Sequence, residues 1–153
     1  MSRIARTAPS EQYAVLRTHT SQHAESRDCS VIGVAAVCGI SYAEAHALCA
    51  QQGRKPRRGM RLYDICRAVN AAGFTTNTVP TKEFVSRYPG SHKGLRNVTT
   101  HHPARFPHVW RDGCTYLLFT KTHVAACVNG TVHDWALNHA LRVFKVVKIE
   151  KGA

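Results

Sequence analysis

Ser30-Val31-Ile32-Gly33-Val34-Ala35-Ala36-Val37-Cys38 is apolar almost throughout, and this run constrains the fold more than any other stretch of the chain. A helix that is apolar on every side has no face for water and must be wrapped by other elements. Asp28-Cys29 stands at its N-terminal mouth. The run therefore reads as a buried helix whose first turn points Cys29 into a cleft, where the positive end of the helix dipole favours the thiolate.

A second constraint lies near the C-terminal end. Lys121 to Val128 and Thr131 to Ala136 flank Asn129-Gly130, the strongest short-range signal for a two-residue type I′ hairpin. Val128 then faces Thr131, and counting outward puts His123 opposite Ala136. Side chains alternate faces, so Asp134 falls on the same face as His123, one diagonal step away at about 7–8 Å between backbones. His133 points to the other face and is a poor candidate for a base. Asn138 replaces Asp134 as orienter only if the hairpin is longer. Taken singly, Cys29 reads as a buried thiol and His123 as a polar residue at a strand start. Jointly they supply a nucleophile, a base and a group that fixes the base.

With these residues in place, the chain resembles the papain-like cysteine peptidases, closest to the branch that includes the bacterial double-glycine leader peptidases. The likeness runs from Gln22 to about Phe74 and from Tyr116 to Ile149. It rests on Asp28-Cys29 with its small, apolar helix, on Gly39-Ile40-Ser41-Tyr42-Ala43-Glu44-Ala45, and on His123-Val124-Ala125, Asn129-Gly130 and Asp134. The resemblance implies an α+β fold in which an N-terminal helical half carrying Cys29 packs on a C-terminal antiparallel sheet or half-barrel carrying His123 and Asp134. It also implies a Gln about six residues before the Cys as a side-chain donor to the oxyanion. Gln22 is seven before and His23 occupies the sixth place, so both stand as candidates for that donor. Where the leader peptidases tend to have Pro after the Asp, this chain has Trp135, similar to the aromatic that shields the His–Asn bond in papain.

A length of 153 residues suits one domain with a core that needs no disulfide staples. We expect a basic N-terminal arm, or a loosely docked segment, over residues 1–20 and a single domain over 21–153. Cys29, Cys38, Cys49, Cys66, Cys114 and Cys127 include no Cys-x-x-Cys pair, which points to reduced thiols in a cytoplasmic compartment. The start, Met1 to Arg6, has no apolar run long enough for a signal peptide, and no later segment approaches the roughly 18 apolar residues of a membrane span. The chain should be soluble.

Ser41-Tyr42-Ala43-Glu44 reads as a capping box that starts a helix through Gln52, with Gly53 as its stop. Leu62, Ile65, Cys66 and Val69 have helical spacing, and Gly73 ends that helix. Phe74 to Val79 reads as a first strand, Thr81 to Arg87 as a short helix and Tyr88 to Pro107 as a long loop. Further strands are expected at about 114–120, 123–128, 131–135 and 142–149, after a turn at Asp112-Gly113.

The formal charge of +12 raises a nucleic-acid reading. Arg54, Lys55, Arg57, Arg58 and Arg61 form a patch for a phosphate or another anionic partner, or else a solvated loop between two helices. No helix-turn-helix, zinc-finger or RNA-binding aromatic signature accompanies the patch. His101, His102, His108 and Cys114 lack metal-ligand spacing, and neither a metal nor a cofactor is expected. The sequence thus points to a hydrolase that cuts a peptide or isopeptide bond in a peptide or protein substrate. The alternative is an inactive relative of that fold acting as a basic binding protein for nucleic acid or a host protein. The compact basic chain, with no transporter domain, is similar to phage-encoded accessory proteins.

Overall fold

The computed structural model describes residues 8–80, 113–135, 143 and 145–152. Four helices come first: α1 (Glu11–Gln22), α2 (Cys29–Cys38), α3 (Tyr42–Gln51) and α4 (Leu62–Ala71). Strands β1 (Phe74–Thr78), β2 (Thr115–Phe119), β3 (Val124–Val128), β4 (Thr131–His133) and β5 (Lys145–Lys151) follow. They form an open antiparallel sheet in the order β1-β5-β2-β3-β4. The class is α+β. The short helix expected at Thr81–Arg87, the loop from Tyr88 to Pro107 and Asn138 lie outside the described residues.

Helix α2 occupies the centre, as its composition demands. Every residue from Ser30 to Cys38 is buried, against α1, α3 and α4 on one side and β2 and β3 on the other. Leu117, Phe119, Val124, Ala126, Val147 and Ile149 meet the helices from one face of the sheet, while Tyr116, Leu118, Ala125, Cys127, Val132 and Val146 form a second cluster on the other face. Each fully buried aliphatic side chain contributes about 1.5–3 kcal/mol. The helix stops at Gly39, whose φ of 64° is the left-handed C-terminal cap that glycine adopts without strain. Among the described residues, no single helix is long and apolar enough to cross a membrane.

Helix α3 begins as its capping box predicts, with the Glu44 amide donating to Ser41 Oγ at 3.1 Å and that hydroxyl donating to Glu44 Oε1 at 3.1 Å. The β3–β4 turn has φ of 46° at Asn129 and 83° at Gly130, and Val128 pairs with Thr131. Residues 11–20, expected as an arm or a loosely docked segment, are helical and docked. They belong to α1, capped by Ser10 and docked through Tyr13, Leu16 and Thr20. Its apolar face is only these few positions wide, which is why the periodicity is weak.

The loops around α2 are tied by one buried carboxylate. Glu25 receives Arg54 Nη1 at 2.8 Å and Nη2 at 3.1 Å, lies 2.6 Å from His46 Nε2 and accepts the Arg57 amide at 2.8 Å. Arg54 is therefore buried and withdrawn from the expected anionic-partner patch. Lys55, Arg57, Arg58 and Arg61 remain exposed. The bond from Arg54 outweighs the opposing effect of burial, and the Glu25 carboxyl is lowered to about 2.

A carboxyl held below its ordinary 4.5 stabilises the fold fully above that value and loses the contribution as pH falls toward about 2. In urea unfolding, Arg54→Met should cost about 3–5 kcal/mol, because it strands a buried charge. Glu25→Gln should remove the acid-side loss between those two pH values. An unchanged midpoint in Arg54→Met would show that the pair does not pin the loops.

Candidate active site

Cys29 is the first residue of α2, and Asp28 is its N-cap residue without capping the helix by its side chain. The buried Asp28 carboxylate instead accepts from Thr20 Oγ1 and Tyr42 Oη, each at 2.7 Å, with Arg17 3.7 Å away. One side chain thus fastens the start of α2 to α1 and α3. The preceding loop is held in a costly shape: Ala24 and Arg27 have φ of 51° and 50°, a left-handed conformation that non-glycine residues keep only where the surroundings impose it.

His123 closes the tight β2–β3 turn, where the Thr120 amide donates to the His123 carbonyl at 2.8 Å. Asp134 follows the last residue of β4. Strict alternation would send both to the face of Ala125 and Cys127. Standing just beyond the strand ends, they meet the mouth of α2 instead. His123 Nε2–H donates to Asp134 at 2.9 Å and 3.0 Å, and Cys29 is hydrogen-bonded to the His123 ring. With Nε2 taken by the carboxylate, Nδ1 is the nitrogen left for the thiol. Trp135 lies with its ring 4.8 Å from that of His123, and its amide donates to Asp134 Oδ1 at 3.0 Å. His133 is engaged elsewhere, its Nδ1 lying 2.6 Å from Ser10 Oγ.

Burial alone would raise the Cys29 thiol. The hydrogen bond and charge of His123, with the backbone N–H groups of Val124 and Ser30, outweigh it, and the thiol lies below its ordinary value. Burial would likewise lower His123, but the bonds to Asp134 and Cys29 raise it to about 9. The contact therefore favours the thiolate–imidazolium form of the pair over the neutral one. Burial pushes Cys38 up to about 11 and Cys49 up to about 12, and raises Cys66 as well. Burial thus disfavours the thiolate at all three.

These groups line a cleft of about 600 Å³ together with Tyr13, Arg17, Ser26, Arg27, Gly59 and Trp135, a size typical of small-ligand sites. Gln22 is exposed at the end of α1 and is absent from the lining. His23 is exposed too, packed with His19, Tyr42 and His46. The structure brings neither expected oxyanion donor to Cys29. Tyr13 lines the cleft in their place. Burial pushes its phenol up to about 12, so it remains a donor, and no partner among the described residues takes its hydroxyl. Tyr13, Arg17 and Thr20 recur at helical spacing behind Ser10, and that pattern is the signal by which sequence reasoning could have found them.

No cluster of three His, Cys, Asp or Glu side chains suited to a metal ion occurs among the described residues; His101, His102 and His108 lie outside them. No family model matches the chain, and no curated protein or solved structure shows significant similarity to it.

Iodoacetamide at pH 7 should modify Cys29 well ahead of Cys38, Cys49 and Cys66. His123→Ala removes the bond that holds the thiol down, so the Cys29 reaction should slow and its midpoint should rise. Peptide mapping over a pH series measures both. Equal rates at all four thiols would contradict the lowered Cys29 thiol.

Proposed function

We propose that the protein is a papain-like cysteine hydrolase acting on a peptide or isopeptide bond. The single observation that supports this most is the unbroken chain from Cys29 through His123 to Asp134 at the N-terminus of a buried helix inside a cleft. Each role the chemistry needs has a group to fill it. The Cys29 thiolate attacks the carbonyl carbon. The developing oxyanion is held by the Cys29 backbone N–H, one of the first-turn donors with no intrahelical acceptor, and by the Tyr13 hydroxyl. Nδ1 of the His123 imidazolium protonates the leaving amine and leaves a thioester. Neutral His123 then takes a proton from water, whose oxygen attacks the thioester, and collapse frees the acid and the Cys29 thiolate beside the His123 imidazolium. Asp134 keeps the ring oriented, and Trp135 covers it from one side.

Against a quenched peptide library, Cys29→Ala should abolish turnover, Asp134→Asn should lower kcat by orders of magnitude, and His133→Ala should leave it nearly intact. Tyr13→Phe should lower kcat by about 10²-fold if its hydroxyl holds the oxyanion. kcat/KM should rise with pH as Cys29 ionises below the ordinary thiol value, then fall near 9 as His123 loses its proton. Wild-type turnover in Cys29→Ala, or equal losses at Asp134 and His133, would overturn the reading.

A further inference from the structure

The cleft holds three of the carboxylates of the chain, Glu25, Asp28 and Asp134. Each is buried and already engaged: Glu25 by Arg54, Asp28 by Thr20 and Tyr42, Asp134 by His123. None presents a free negative charge to an incoming ligand. The cations at the same cleft differ. Arg17 reaches Asp28 only at 3.7 Å, and its side chain is 54% exposed. Arg27 lines the cleft and is exposed, with no partner for its guanidinium among the described residues. Gly59, which also lines the cleft, follows the exposed Arg57 and Arg58. The Arg57 amide is bonded to Glu25, which fixes the basic loop against the same wall. The basic loop is thus the border of the cleft rather than a separate patch.

We propose that this cleft selects an acidic segment of a polypeptide, with Arg17 and Arg27 receiving carboxylates beside the bond presented to Cys29 and the Arg57-Arg58 loop extending the positive rim. The assignment rests on the hydrolase reading, which it deepens by naming the substrate class. A guanidinium suits carboxylates because its planar fork donates to both oxygens at once. A nucleic acid would also satisfy the charge, but it offers no acyl carbon to the thiolate.

The test uses three eight-residue peptides of equal length capped with a chloroacetyl group, rich in Glu, Gln or Lys. Alkylation forms a bond from Cys29 Sγ to the methylene carbon and expels chloride, so even an ordinary thiol reports at a measurable rate. Each rate is divided by the same protein's iodoacetamide rate. The Glu peptide should label Cys29 about tenfold faster than the Gln peptide, from two partly exposed charge pairs, and the Lys peptide should be slowest. The Glu advantage should shrink with added salt and largely vanish in an Arg17→Gln, Arg27→Gln double variant. Equal normalised rates for Glu and Gln peptides, or an advantage that persists in the double variant, overturn the proposal. So does protection of Cys29 by an oligothymidylate at lower concentration than by the free Glu peptide. Sluggish iodoacetamide labelling of Cys29 would instead overturn the hydrolase reading, and the ratios among peptides would still report the charge preference of the cleft.

Discussion

The buried Glu25 carboxylate is the constraint on which the candidate site and its surroundings depend. It lies in the loop between α1 and α2, and its partners Arg54 and Arg57 lie between α3 and α4. Removing two ions from water is expensive, and the pair is tolerable because nearly every lone pair is used: two guanidinium nitrogens, an amide and a histidine converge on one carboxylate. Ala24 and Arg27, close to Glu25 along the chain, and Arg57, close to Arg54, adopt left-handed conformations. The convergence gives the start of α2 a fixed position relative to the wall that carries Gly59.

Within that frame, the charge state of the Cys29–His123 pair is set by a contest between burial and contact. Desolvation pulls both partners toward their neutral forms, raising Cys29 and lowering His123. Contact wins because each charge compensates the other and Asp134 stands behind the imidazole. The same burial acts unopposed at Cys38, nine residues along the same helix. Two cysteines at opposite ends of α2 thus differ in chemistry because only one has an imidazole beside it.

Much of this arrangement was legible in the sequence wherever a local rule fixes geometry. Asn129-Gly130 dictates its turn, the turn dictates the register, and the register carries Asp134 to His123. The apolar run dictated a central helix. Features that depend on partners far along the chain were not legible. Nothing around Arg54 reveals that a carboxylate 29 positions earlier will bury it, so it read as part of a basic patch. Helix α1 gives almost no periodic signal, because its three anchors, Tyr13, Leu16 and Thr20, stand on a polar, basic background. Gln22 and His23 stand just ahead of Cys29 in the sequence, but the end of α1 leaves both exposed, whereas Tyr13, more than two helical turns earlier in α1, lines the cleft.

Trp135, 43% exposed and tilted at 41° over the His123 ring, has an optical consequence. An excited indole donates electron density readily to a charged imidazole and poorly to a neutral one, so its emission follows the proton on His123. The chain has two tryptophans, and Trp110 lies outside the described residues. Fluorescence that brightens as pH rises through about 9, and keeps one level in His123→Ala, would let the protonation of the imidazole be watched directly, with no substrate present.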